Sequence, residues 1–152
     1  MWQYSPTQLT GDSPGKVVKV YLGVGTALPI EVATLTLASD EGPLISAVIN
    51  QASGYGWFGT SDSPGKIVKI TLGASYYAPT RVSSITAPNG VNQLRAAAGD
   101  TAQLYGYFGS YTAPASILKV ALGAGPSPQT DAGEEPLFSG DGISSIELVG
   151  YH

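Results

Sequence analysis

Four carboxylates crowd one stretch, AGPSPQTDAGEEPLFSGDG at 124–142: Asp131, Glu134, Glu135 and Asp141. An oxygen-rich loop can hold Ca²⁺, which takes roughly six to eight oxygen ligands. The spacing fits no calcium-loop pattern, and a solvated surface loop is the plainer reading. Glu134 and Glu135 would need rigid support to work as an acid–base pair, and a Gly/Pro-rich segment does not supply it. The chain has one histidine, His152, its last residue, and no cysteine. It carries no phosphate loop or histidine cluster. The expectation is a protein that is not an enzyme and needs no cofactor or metal. Binding chemistry is better represented. Tyr76 and Tyr77 follow Gly73 in a loop, and Asp100 ends the AGD turn. Tyrosine faces stack on the apolar side of a pyranose while nearby Asp, Asn and Ser take the hydroxyls. Plain packing of the loop is the competing explanation of the tyrosines.

These residues hang on a repeat. GDSPGKVVKVYLG at 11–23 returns as SDSPGKIVKITLG at 61–73 and YTAPASILKVALG at 111–123. Apolar residues alternate with the lysine, so each run predicts a β-strand with Lys19, Lys69 or Lys119 on the opposite face. That placement predicts three outward lysines that keep the sheets soluble and discourage edge pairing. A second strand is expected at EVATLTL (31–37), RVSSITA (81–87) and GISSIEL (142–148). On that alignment the third copy carries an eleven-residue insertion within 124–142. Turns at SDEG and APNG follow, Asn89–Gly90 being a hairpin signal. Then come LISAVIN and VNQLRAA, and after short turns GYGWFGT and LYGYFGS. Trp57–Phe58 and Tyr107–Phe108 match at this interval, with Thr7 and Gln8 in the first copy. Strand alternation predicts one core and one partly exposed member in each pair. The third copy runs out at VGYH, so MWQYSPTQL is expected to supply its missing strands and the chain ends to meet.

Composition bounds the rest. The 152 residues suit a single domain, with repeats at about 8–57, 58–107 and 108–152 and an N-terminal strand at 1–7. A net charge of −4 argues against nucleic acid. No apolar run reaches the ~20 residues of a membrane span, so no membrane insertion is expected. The N-terminus does not read as a signal peptide. A secreted or cell-surface role is compatible with the missing cysteines.

No segment has a convincing helical period, and short strands with turns between them predict an all-β fold. One repeat cannot bury its apolar face alone, whereas three can close around an axis. Two threefold folds suit this: the type I β-prism, of three four-stranded Greek-key sheets, and the β-trefoil as alternative. The Gln-x-Trp pattern common in trefoils is absent. The cadence GKIVKITLGASYYAPTRVSSITAPNG, then LYGYFGS, with GYGWFGT and GDGISSIELVGY, resembles the jacalin-related lectins, which are type I β-prisms. The resemblance implies a sugar site at a Gly-x-x-x-Asp motif opening the second strand of the last copy. The matching positions are Gly140 and Ser144, with Ser83 and Ala33 in the other copies. The carboxylate is therefore missing, and Asp141 would have to substitute from the loop.

The leading expectation is a non-enzymatic, lectin-like module that binds glycans at the end where the 24–31, 74–81 and 124–142 loops gather with NQASG and AGD. Its expected ligand residues are Tyr76, Tyr77, Asp100, Gly140, Asp141, Gly142 and Ser144. The alternative is a structural or protein-binding module of a larger assembly, such as a toxin targeting domain or a phage or capsid accessory. Low charge and abundant Ser, Thr and Tyr also suit a homo-oligomer.

Overall fold

Alternation of apolar residues builds three antiparallel sheets. The computed structural model describes residues 14–100, 102, 104–137 and 142–149, and the backbone of 2–4. The first sheet holds β1 (Trp2–Tyr4), β2 (Lys16–Tyr21) and β3 (Ile30–Thr36) in that order. The second holds β4 (Leu44–Asn50), β5 (Tyr55–Thr60), β6 (Lys66–Thr71) and β7 (Thr80–Thr86). The third holds β8 (Leu94–Asp100), β9 (Tyr105–Ser110), β10 (Ser116–Ala121) and β11 (Thr130–Pro136). Among the described residues there is no helix.

The all-β expectation holds, but the connectivity differs from a Greek key. Every strand pairs with its neighbour in sequence, so each sheet is a plain meander. Short connections explain this, since antiparallel neighbours need only a few linking residues. The Asn89–Gly90 turn, closed by Val91 N–H on Pro88 O at 3.1 Å, links the second sheet to the third rather than closing a hairpin.

The repeat is truer than the sequence suggested. β3, β7 and β11 start at residues 30, 80 and 130. The third copy thus has no insertion, and TDAGEEP, not GISSIEL, is its second strand. Asp131, Glu134 and Glu135 stand exposed on that strand, and Asp131 Oδ1 accepts the Gly133 N–H at 2.7 Å. The loops after β2, β6 and β10 share one turn, closed by Ala27 N–H on Val24 O, Tyr77 N–H on Ala74 O and Ser127 N–H on Ala124 O. Each opens on a glycine of positive φ: Gly23 (75°), Gly73 (67°) and Gly123 (70°). β1 also differs from expectation. Its register puts Trp2 opposite Lys19, as Trp57 stands opposite Lys69 and Tyr107 opposite Lys119. Trp2, rather than Thr7, therefore occupies the aromatic position of the first copy. β1 joins the first sheet and does not complete the third.

Packing is serial. One core gathers Val17 of the first sheet and Leu37 just after it with Leu44, Phe58, Val68 and Ile70 of the second sheet and Leu72 just after β6. The other gathers Ile67, Ala87, Leu94, Phe108, Leu118, Val120 and Leu122, the same positions fifty residues later, and adds Val48, Trp57 and Val91. The middle sheet is therefore covered on both faces, and Trp57 and Phe58 are both buried. In the third sheet Phe108 is buried and Tyr107 only half-buried, as alternation predicts where one face has a neighbour.

Candidate functional site

The lysines overturn the expectation of an outward ring. β2–β3 and β6–β7 each carry a register shift immediately after Lys19 and Lys69. The extra residue, Val32 or Val82, lies on the partner strand, so Lys19 keeps the alternation of β2 and shares a face with buried Val17, which packs against the second sheet. Lys19 Nζ donates to Leu72 O (3.3 Å), Gly73 O (2.7 Å) and Tyr77 O (3.1 Å). Fifty residues on, Lys69 Nζ donates to Leu122 O (3.2 Å), Gly123 O (3.1 Å) and Ser127 O (2.6 Å). Each ammonium caps the turn of the next sheet. Three acceptors match its three donors. Burial pushes both ammonium groups below the ordinary lysine range. Lys69 also lies over the Tyr55 and Trp57 rings at 4.7 and 5.4 Å.

Beside the Lys19 contact the first and second sheets leave a groove of about 700 Å³. β2 brings Lys19 and Tyr21 to it, two residues apart and so on one face. The 51–54 turn brings Gln51 and Ser53, and the strand ends bring Tyr55 and Thr71. A smaller hollow of about 210 Å³ shares Lys19, Tyr21 and Ser75 with the groove and adds Val20, Val32 and Tyr76. Tyr21 is 44 % and Tyr76 75 % exposed. This combination offers aromatic faces flanked by hydroxyl and amide groups. Among the described residues, no cluster of three or more His, Asp or Glu could hold a metal.

The expected ligand residues do not converge. Tyr76 lines the hollow, whereas Tyr77 is exposed and contributes its carbonyl to Lys19. Asp100 lies at the end of β8 opposite Tyr105, in the third sheet, and lines neither hollow. Gly142 rests against Tyr111, where a Cβ would lie 2.5 Å from the ring. The next residue, Ile143, donates its N–H to Ser110 O at 2.8 Å, and Ser144 is exposed. Ser110 ends β9, while Tyr105 begins it beside the 122–129 turn, so Gly142 sits at the opposite end of that sheet from the turn. Gly140 and Asp141 fall outside the described residues. Sequence reasoning placed the NQASG turn, and with it Gln51 and Ser53, at the binding end, but did not single out Lys19, Tyr21 or Tyr55 as ligand residues. Of these three only Tyr21 carried a signal, since the other copies have Thr71 and Ala121 at its position.

Structural ion pairs flank the same junction. Arg81 grips buried Glu41 with Nε at 2.8 and 2.9 Å from the two carboxylate oxygens and with Nη2 on Oε1. Ala38 N–H adds a bond to Oε2 at 3.1 Å. In the second junction Val91 and Asp131 replace this pair, and Gln129 bridges Ile67 O and the Ser83 hydroxyl, each at 2.6 Å. The chain matches no protein family, curated protein or solved structure in the comparisons made.

Proposed function

We propose that the protein is a non-enzymatic, lectin-like module that binds glycans in the groove between its first and second sheets. The observation that carries this reading is the pair of accessible rings, Tyr21 and Tyr76, beside Ser75 and the Gln51–Ser53 turn. A sugar ring stacks on the tyrosines and its hydroxyls reach the amide and hydroxyl groups. The kinship with jacalin-related lectins belongs to this proposal. Three antiparallel sheets spaced by fifty residues support it. Meander connections, serial cores and Ser144 in place of a carboxylate depart from that family's pattern. For that reason we put the sugar in the groove rather than at Gly140–Ser144, and we read the three sheets as a row rather than a closed prism.

A glycan array followed by titration with simple hexoses tests the reading. Binding should be weak per site, and Tyr76→Ala should reduce it about tenfold or more while the melting temperature stays put, since that ring is exposed. A blank array together with a blank titration refutes it. A second reading, a protein-binding module of a larger assembly, draws on one separate observation. Leu22, Val24, Leu28 and Ile30 stand exposed around the first sheet's turn.

A further inference from the structure

The junction between sheets is made twice within the chain, and among the described residues each half of it is also found once without its counterpart. The donor half is Lys119. It occupies the position of Lys19 and Lys69, yet among the described residues no carbonyl accepts from it, and its Nζ lies over the Tyr105 and Tyr107 rings at 4.1 and 6.0 Å. The acceptor half is the 22–29 turn. Leu22 is 37 % exposed where its equivalents Leu72 and Leu122 are 4 % and 2 %. Pro29 is exposed where Pro79 and Gln129 are buried. The turn nevertheless has the same closing bond and the same left-handed glycine as its two capped counterparts.

The strands show the same complementarity. In the second and third sheets a fourth strand, β4 or β8, lies on the outer edge of β5 or β9. The matching edge of β1 carries no strand among the described residues. Meanwhile residues 142–149 leave the third sheet along the course that leads into β8 fifty residues earlier. A Cβ at Gly109 would lie 2.6 Å from Ile143, as one at Gly59 would lie 2.9 Å from Leu94. Leu94 opens β8, but among the described residues 142–149 pair with no strand. An open edge and an unpaired segment of matching position invite β-augmentation.

We propose that two copies of this chain associate head to tail, Lys119 of one capping the Leu22, Gly23 and Ala27 carbonyls of the next while residues 143–149 pair along β1. The occupant is a second copy because the junction it forms is the one the chain already makes twice between its own repeats. Closure within one chain would bring the first sheet to the third, whereas both cores join consecutive copies. The interface is heterologous, so it extends into rows unless it closes into a ring. This inference rests on the assembly reading and is independent of the glycan groove.

Cross-linking between separately labelled chains tests it. The protein has no cysteine, so one chain carries Ala121→Cys, two residues beyond Lys119 on β10 and leaving the lysine in place, another carries Ala27→Cys, and the two are mixed with a short bis-maleimide. The expected product is a dimer containing one of each, and light scattering of the unmodified protein should give a mass above 15.6 kDa that rises with concentration. Leu22→Glu changes a position already exposed in the single chain, so it should leave the melting temperature unchanged and weaken association about tenfold or more. Lys119→Ala should weaken association to a similar extent, with a small loss of melting temperature because its ring contacts go with it. A 15.6 kDa species at every concentration with no mixed dimer overturns the proposal. Mixed dimers that are indifferent to Leu22→Glu also overturn it. A chain bearing both cysteines that cross-links only to itself, at any dilution, would overturn it in favour of closure. Hexose titration reads Tyr76 and cross-linking reads Lys119, so failure of one leaves the other standing.

Discussion

Lys69→Met isolates the cap between sheets. Methionine keeps the apolar stem in place and removes the ammonium. Leu122 O keeps a donor, because Trp57 Nε1–H also reaches it at 3.1 Å. Gly123 O and Ser127 O lose theirs. A buried acceptor left unpaired costs about 1–3 kcal/mol, and these two, being only partly buried, fall at the lower end. The lost cation–π contacts with Tyr55 and Trp57 add about 1 kcal/mol. Release of the ammonium's desolvation penalty offsets part of this, leaving a net loss of about 2–3 kcal/mol. Lys119→Met is the control. Among the described residues it forfeits the contacts over Tyr105 and, at longer range, Tyr107, together about 0.5–1 kcal/mol. Urea unfolding of both variants at low protein concentration, with unchanged m, gives the comparison. The reasoning fails if the two costs agree within about 0.5 kcal/mol, for then the carbonyl cap contributes nothing beyond the ring contact.

Two further outcomes follow from the same geometry. Burial works against the Glu41 charge, but the Arg81 fork and the Ala38 N–H outweigh it and hold the carboxyl below its usual 4.5. The folded state therefore binds that proton less readily than the unfolded chain, and the stabilisation is complete above 4.5 and lost as pH falls through the depressed value. Glu41→Gln should be less stable at neutral pH and show a shallower loss of melting temperature on acidification below 4.5; an acid limb as steep as the parent's would contradict this. Gly123→Ala should cost more than about 1 kcal/mol, because φ is 70° and a Cβ would lie 2.6 Å from Pro128 O. Thermal unfolding reads it, and a neutral result would mean that the turn relaxes freely.

What could be read from the sequence was local. Val18, Val20 and Leu22 alternate with Lys19, so strands β2, β6 and β10 were plain in advance, as was the fifty-residue period. The second strand of the third copy was not. TDAGEEP is exposed along its whole length on the outer edge of an end sheet, so nothing demands an apolar alternation there. GISSIEL has that alternation and drew the assignment to itself. Lysine alternating with valine reads as solvent-facing. Nothing near Lys19 in the sequence announces that carbonyls from residues 72, 73 and 77 converge on it. Tyr76 was found because two adjacent loop tyrosines stand out. Its neighbour Tyr21 was not, because the two rings come to line one hollow only after two sheets have stacked.

The doubly covered middle sheet has a genetic corollary. A unit that offers each neighbour the surface its own predecessor offers can be duplicated or deleted by recombination without redesigning any contact, provided the change is a whole multiple of fifty residues. A one-residue error instead reverses which side chains face each neighbour along the strand. Selection on the length of such a chain would therefore act in whole-unit steps.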